Sequence, residues 1–190
     1  MITKIVNKFK RILGLPIIYK SETSKVRNLV DKYCIGFGCD IGFGGDKIMK
    51  NNCLGIDFDT PYANTGKDKV DIPCKIGEEP IPVGPNFFDY VYSSHLIEDF
   101  VDTKLILLDF IRVLKNEGNL ILVFPNQLIY EEHCVKSGQP MNLYHIHKDM
   151  GLDYMLNVLN NIDSIKYNLL FSSDCEIDYN VILVIKIFKK

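Results

Sequence analysis

The sequence predicts an α/β protein with a mostly parallel sheet, and three observations lead to this class. The 190 residues have an ordinary globular composition, with 47% hydrophobic and 24% charged residues, which excludes disordered, collagen-like and coiled-coil chains. Short apolar strands alternate with helices along the chain, which is typical of parallel strands joined by right-handed crossovers. Glycines and acidic residues follow the predicted strands, at the edge where open α/β sheets bind ligands.

The individual elements follow from hydrophobic periodicity and from glycine, proline and polar breaks. Residues 2–13 form a basic amphipathic helix, which either packs on the domain as a cap over a cleft or lies on a membrane. We expect packing rather than membrane contact. Further helices are predicted near 22–32 and at 47–50, 103–114 and 152–159. Strands are predicted at 33–41, 53–58, 70–72, 87–93, 120–124, 165–171 and 181–188. Residues 73–86 and 126–148 are predicted to be irregular, and the last two strands pair antiparallel across a short turn.

Charge and cysteine usage narrow the class of function. The formal net charge is −2, whereas proteins that follow a phosphate backbone usually carry a basic surplus, so no nucleic-acid partner is expected. Six cysteines occur without metal-ligand spacing, so no metal site is expected. The first residues lack a signal-peptide pattern, which favours free thiols in the cytoplasm. Without a linker or an internal repeat, residues 1–190 are predicted to form one domain, as a monomer or homodimer.

The glycine-rich turn after the first strand carries the first indication of chemistry. The run Cys39-Asp40-Ile41-Gly42-Phe43-Gly44-Gly45-Asp46-Lys47 lets backbone approach a ligand closely. A P-loop is excluded because no Gly-Lys-Ser/Thr follows, and the dinucleotide pattern fails at Lys47. The carboxylate of Asp40 would repel a pyrophosphate but suits a ligand with an ammonium and a sulfonium group. S-adenosylmethionine is such a ligand.

Acidic residues after the next two strands extend this interpretation. Asp57 ends the second strand, where an acid can accept hydrogen bonds from both ribose hydroxyls of a nucleoside. Phe58 could flank the adenine, and Asp71, placed at the end of the third strand, could accept from the adenine amino group. The alternative for each acid is an ordinary helix cap or turn.

Four motifs in order resemble class I S-adenosylmethionine-dependent methyltransferases, closest to the small methyltransferase type 11 group. They are DIGFGG (40–45), LGID (54–57), FDYVYSSHLIED (88–99) and LLDFIRVLKNEGNLILVFPN (107–126). The resemblance covers residues 33–125 and implies a Rossmann-like seven-stranded sheet of order 3-2-1-4-5-7-6, with the last strand antiparallel. It implies S-adenosylmethionine as cofactor and S-adenosylhomocysteine as product. The residues implied to contact the cofactor, beside the acids and Phe58, are Gly42, Phe43, Gly44, Ile72 and Ser93.

The acceptor side is expected from the segments outside this core, residues 1–30 as a helical cap and 126–148 as an acceptor loop. Candidate catalytic residues are His95, after the fourth strand, and His145 and His147, whose rings point the same way if their segment is extended. The motif of amino-methyltransferases that act on nucleic-acid bases is absent, which favours a small-molecule acceptor methylated at oxygen. Asp46 replaces a usual glycine, and this variant is similar to relatives linked to surface polysaccharides, which implies a glycan precursor. The alternatives are a nicotinamide-dependent oxidoreductase, which Asp40 and Lys47 oppose, and a non-catalytic, partner-binding subunit.

Overall fold

The computed structural model describes residues 21–60 and 68–190. The predicted amphipathic helix at 2–13 lies outside these residues. Seven strands form one sheet of order β3-β2-β1-β4-β5-β7-β6, which confirms the predicted order. The strands are β1 Gly38–Ile41, β2 Cys53–Asp57, β3 Ile72–Pro73, β4 Phe88–Ser94, β5 Leu114–Pro125, β6 Ile165–Glu176 and β7 Asn180–Lys189. The pairs β1–β2, β2–β3, β1–β4 and β4–β5 are parallel, whereas β7 is antiparallel to both β5 and β6.

Helices are capped by side chains that the sequence places at their ends. The described α-helices are α1 Glu22–Val30, α2 Thr103–Val113, α3 Gln127–Ser137 and α4 Leu152–Asn160. Ser21 caps α1 by accepting a hydrogen bond from the Ser24 backbone, and Asp102 caps α2 in the same way. Gly138 ends α3 in a left-handed conformation with φ +71°.

The sheet lies between two helical layers. Alternate residues of a strand point to opposite faces, so Val91 of β4 packs with α2 and α4, while Tyr90 and Tyr92 pack with α1. Both faces of the central strands are therefore covered, which explains their nearly continuous apolar runs. The sheet edge, and not its faces, is left to bind a ligand.

Two local predictions are wrong, each for a physical reason. Residues 47–50 do not form a helix, because Arg27 donates to the carbonyls of Lys47 and Ile48, and Asp40 accepts from the Ile48 N–H. These side chains replace the hydrogen bonds that a helix would supply. The segment 126–148 is not irregular throughout, since it contains α3. That helix was hidden because its buried stripe includes the polar Gln127.

Three further observations concern the described part of the chain. None of its helices is both long enough and apolar enough to cross a bilayer. No group of three or more His, Cys, Asp or Glu side chains is placed to bind a metal ion among residues 21–60 and 68–190. All six cysteines are free thiols, and only Cys175 is exposed.

Candidate active site

One edge of the sheet gathers most of the predicted site residues. Because β1, β2, β4 and β5 are parallel, their carboxyl ends lie at the same edge, and the antiparallel β7 begins there. The glycine loop, residues 42–46, follows β1. A second group, which we name the acceptor cluster, lies beyond β4, β5 and the start of β7. Its members are Glu22, His95, Glu98, Gln127, His145 and Asn180.

A surface cavity lies elsewhere and does not compete with this edge. It has a volume of about 410 Å³ and lies between residues 76–80 and α2. None of the predicted site residues lines it. The strand edge therefore remains the candidate active site.

The glycine loop turns through left-handed backbone conformations. Gly42, Gly44 and Gly45 have φ values of +70°, +56° and +78°, where a side chain is strained. A Cβ atom at Gly42 would lie 2.7 Å from the Leu96 side chain, whereas one at Gly44 would meet no atom within 4 Å. No described atom therefore lies where a side chain at Gly44 would stand, and close approach of a ligand to the backbone requires such room.

Asp40 lies beneath this loop and not on its surface, which corrects the prediction of a direct contact. Its side chain is 0% exposed, and its Oδ2 accepts a hydrogen bond of 2.6 Å from the Ile48 N–H. Its Oδ1 has no hydrogen-bond partner among the described residues. Burial raises the pKa of this carboxyl well above its ordinary value. Asp40 therefore holds the backbone at Ile48 in place, below the surface of the loop.

Asp46 joins the glycine loop to α1. Its carboxylate accepts hydrogen bonds from the Ser21 hydroxyl at 2.6 Å and from the Arg27 guanidinium at 2.8 Å, and it lies 3.3 Å from Lys50 Nζ. Burial alone would raise the pKa of Asp46, but these donors outweigh it and lower the pKa below its ordinary value. The residue that replaces a glycine in the motif thus fixes the loop to the preceding helix.

Asp57 ends β2 beside the glycine loop, at the position predicted from the sequence. Its two carboxylate oxygens accept hydrogen bonds from the N–H groups of Gly44 and Phe58, at 3.0 and 2.8 Å. Burial raises the pKa of Asp57, while these two N–H groups lower it by a smaller amount. A carboxylate has about four lone-pair sites, so Asp57 retains acceptors for two further hydroxyls. The ring of Phe58 is 38% exposed next to it.

Asp71 does not stand at the end of the third strand, because β3 begins one residue after it. Its Oδ2 accepts hydrogen bonds of 2.8 Å from both the Gly55 N–H and Lys47 Nζ. The carboxylate is therefore already engaged on the β2 side of the sheet, and the expected position is wrong. Ile72 pairs with Ile56 of β2 and packs its side chain against the core.

The side chains of Phe43 and Ser93 support the edge from within. Phe43 is 4% exposed and covers Gly55, where a Cβ would lie 2.7 Å from its ring. The Ser93 hydroxyl donates a hydrogen bond of 2.9 Å to the Ile41 carbonyl and so ties β4 to β1. These two residues were predicted to contact the cofactor, but the structure leaves only their backbone available for such a contact.

His95 is the first residue after β4 and has the strained φ value of +51°. Its Nε2 lies 2.5 Å from Asn180 Oδ1 and 3.7 Å from Glu22 Oε2, and its Nδ1 lies 3.3 Å from Glu98 Oε1. Burial lowers the pKa of His95, but Glu98, Glu22 and Asn180 together raise it above the ordinary value of 6.5. Both ring nitrogens face oxygen acceptors, which favours the protonated imidazolium.

Glu98 lies between two imidazole rings. Its side chain is 1% exposed, and neither carboxylate oxygen has a hydrogen-bond partner of good geometry among the described residues. Its Oε1 lies 3.3 Å from His95 Nδ1 and 3.7 Å from His145 Nε2. His145 also lies 3.0 Å from Gln127 Oε1 through Nδ1 and packs on the ring of Tyr130. Burial lowers the pKa of His145 below 6.5.

His147 lies apart from the other two histidines. Its Nε2 lies 2.7 Å from the Phe100 carbonyl and 3.3 Å from Thr103 Oγ1, and its Nδ1 lies 3.2 Å from the Tyr154 hydroxyl. The expectation that the rings of His145 and His147 point the same way is wrong, because residues 145–147 do not form a strand. His147 instead fastens this segment to α2 and α4.

Four members of the acceptor cluster were missed by sequence reasoning. Gln127 lies two residues after the end of β5 and Asn180 begins β7, so the rule that ligands bind at strand ends could have found both. Glu98 lies within a quoted motif, three residues after His95. Glu22 gives no such signal, since only tertiary packing brings α1 to this edge, where Glu22 Oε2 accepts from Asn180.

Comparisons with known proteins agree with this geometry. Residues 36–122 match the family model described as a methyltransferase domain. No curated protein matches the sequence significantly. A candidate S-adenosylmethionine-dependent methyltransferase of Methanococcus maripaludis superposes with a TM-score of 0.59 at 17% identity, covering 99% of this chain and 93% of that one. A methyltransferase of Thermotoga maritima superposes with a TM-score of 0.57 at 18% identity, covering 99% of this chain and 98% of that one. A methyltransferase of Mesorhizobium loti superposes with a TM-score of 0.61 at 10% identity, covering 88% of this chain and 98% of that one.

The family model matches residues 36–122, somewhat less than half of the chain, as a methyltransferase domain, and the structural neighbours share the fold, which is that of class I S-adenosylmethionine-dependent methyltransferases. S-adenosylmethionine is therefore the cofactor and S-adenosylhomocysteine the product. The described residues fit this group. Among them, Asp57 keeps two acceptor sites beside the glycine loop, and the exposed ring of Phe58 lies next to these sites.

Proposed function

We propose that this enzyme transfers a methyl group to a hydroxyl oxygen of a small-molecule or glycan-linked acceptor, such as a precursor of a surface polysaccharide. The observation that carries the proposal is the acceptor cluster. It places two imidazoles on either side of the buried Glu98, directly after β4 and beside the glycine loop. We place the reaction in the cytoplasm, in keeping with the six free cysteines.

The need for a base favours a hydroxyl acceptor. The sulfonium of the cofactor already activates the methyl group, so the protein mainly aligns the acceptor and excludes water. A phosphate or carboxylate oxygen is ionised and needs no base, whereas an alcohol must lose a proton during the transfer. The acceptor cluster supplies the imidazoles of His95 and His145 as candidates for such a base, and an enzyme for ionised acceptors would not need one.

Hydrogen-bonding groups around the histidines favour an acceptor with several hydroxyls. Glu22, Asn180 and Tyr179 form a connected set, in which Glu22 accepts from the Tyr179 hydroxyl at 3.2 Å and from Asn180 at 3.3 Å. Tyr130 packs edge-on against Tyr179 with ring centroids 5.0 Å apart. The amide and phenol groups can both donate and accept and the carboxylate accepts, so together they match the hydroxyls of a sugar. The Asp46 variant of the glycine loop supports the same class by resemblance.

The chain's own residues then divide the work. The glycine loop and Asp57 hold the nucleoside, and Asp40 and Asp46 hold the loop. The acceptor cluster binds the hydroxyl-bearing molecule and takes up its proton. The parts of the chain that cover the site exclude water from the reacting atoms.

A labelled-methyl assay tests the proposed function. The enzyme is incubated with tritiated S-adenosylmethionine and a panel of nucleotide sugars, free polyols, carboxylic acids and histamine. Histamine represents an amine acceptor, because the Thermotoga maritima neighbour is described as a possible histamine N-methyltransferase. We expect label in a nucleotide sugar or polyol as a base-stable ether. Label in a carboxylic acid or in histamine would overturn the proposal, as would binding of S-adenosylhomocysteine with no transfer to any glycan fraction of the source cells.

A further inference from the structure

We propose that Gln127 is a positioning residue, which holds His145 as a neutral imidazole with its proton on Nδ1 and so makes His145, and not His95, the base of the acceptor cluster. This inference rests on the proposed function, because only a hydroxyl acceptor needs a base. Neither Gln127 nor the division of work between the two histidines follows from the family match.

Gln127 has one orientation that satisfies its neighbours. Its Nε2 donates a hydrogen bond of 2.9 Å to Glu131 Oε1, one turn along α3, and its backbone N–H donates to the Met150 carbonyl at 2.9 Å. Because a carboxylate only accepts, the amide nitrogen must face Glu131 and the amide oxygen must face His145. Gln127 is 6% exposed, so water does not replace these partners.

The orientation of Gln127 settles where His145 carries its proton. Its Nδ1 lies 3.0 Å from Gln127 Oε1, and since that oxygen only accepts, Nδ1 must be the donor. In the neutral ring, Nε2 then carries no proton and has a lone pair that can accept one. Nε2 lies 3.7 Å from Glu98 Oε1, which is too far for a hydrogen bond, so no residue in the described part of the chain uses this lone pair.

His95 is held in the opposite state. Asn180 donates its own N–H groups to Glu22 and to the Ile177 carbonyl, so its oxygen must face His95 Nε2. The other nitrogen of His95 faces Glu98. With an oxygen acceptor facing each nitrogen, the geometry favours a proton on both nitrogens of His95. When the surroundings raise the pKa of one titratable group and lower the pKa of its neighbour, the two groups are assigned to the acid and the base role respectively.

The charged groups that face His145 allow this role. Glu98 and the His95 imidazolium lie on its Nε2 side, Tyr130 packs on its ring, and Glu131 acts through Gln127. During transfer the acceptor O–H bond breaks and its proton passes to His145 Nε2. The oxygen forms a bond to the methyl carbon while the carbon–sulfur bond breaks, and that electron pair remains on sulfur. The resulting imidazolium lies beside Glu98, which stabilises it.

Histidine-selective NMR tests the inference without an identified acceptor. The protein is labelled with ¹⁵N-histidine and saturated with S-adenosylhomocysteine, and two-bond ¹⁵N–¹H spectra are recorded from pH 5 to 9. We expect His145 to be neutral at pH 7 with its proton on Nδ1, and His95 to be doubly protonated at the same pH. In Gln127→Leu the remaining acceptor near His145 is Glu98, so the proton should move to Nε2.

The controls separate a positioning role from a structural one. Gln139→Leu, an exposed glutamine of the same chain, should leave all four histidine signals unchanged. If Gln127→Leu does not fold, Gln127→Glu should instead raise the pKa of His145 by about one unit or more. The inference is wrong if His145 carries its proton on Nε2 in the wild type, if His95 is neutral at pH 7, or if both variants leave His145 unchanged. The methyl-transfer panel fails separately, so the two failures are distinguishable.

Discussion

Replacing Asp57 with asparagine tests the cofactor side of the site with a nearly isosteric change. The carboxylate accepts from Gly44 and Phe58 and keeps acceptor sites for two ribose hydroxyls. Asparagine substitutes an N–H₂ donor for one oxygen, and that donor must face either a backbone N–H or a ribose hydroxyl. A hydrogen bond to a charged group contributes about 1.5–3 kcal/mol, so the Kd for S-adenosylhomocysteine should rise about 10- to 100-fold.

Calorimetric titration of the folded variant provides the measurement. Thermal unfolding is recorded in parallel, and Asp163→Asn, an exposed acid far along the chain, serves as the matched control. Because burial raises the pKa of Asp57, wild-type affinity should also fall as the pH approaches that raised pKa from above, while the variant should lack this dependence. An affinity within twofold of wild type in a folded Asp57→Asn protein would refute the assignment of Asp57 to the ribose.

Three further predictions concern stability. Asp46→Ala removes the partners of Ser21 and Arg27 and should lower the free energy of unfolding by about 1–2 kcal/mol in urea titrations; no loss would show that the loop is held by other contacts. Burial and the Glu98 carboxylate raise the pKa of Asp99 from 3.8 to about 6, so ionising Asp99 destabilises the fold as pH rises through that range. Asp99→Asn should therefore gain about 1–2 kcal/mol at pH 8 and nothing below pH 4, and a gain that persists at pH 4 would contradict this origin. Gly55→Ala places a Cβ 2.7 Å from the Phe43 ring and should destabilise by about 1–3 kcal/mol, with partial rescue by a smaller side chain at 43, both measured by thermal unfolding.

Local sequence signals placed the cofactor side better than the acceptor side. Asp57 lies where the sequence put it, because the end of a strand and the turn after it are determined by a few adjacent residues. Asp40 was assigned to the correct strand but to the wrong depth. Its burial depends on Arg27 and on the 46–48 segment, which lie apart in the sequence. Depth of burial is a property of packing and is not encoded by spacing along one strand.

The acceptor side shows the same limit more strongly. His95 and His145 are separated by 50 positions in the sequence, yet Glu98 lies between their rings in the structure. His147, two residues from His145, faces a different set of partners because the segment is not extended. Gln127 was overlooked since a buried glutamine weakens the hydrophobic period that reveals a helix.

The sequence by itself determined the class of fold, and the resemblance of its motifs to class I methyltransferases implied the order of the strands and the cofactor. Alternating periodicity and short motifs are local and survive without tertiary information. Only the tertiary structure decided which titratable groups meet at the sheet edge and in which direction burial and partners shift the pKa of His95 and His145. Protonation depends on burial and on partners brought from α1, β4, α3 and β7, and these come together only when the chain has folded.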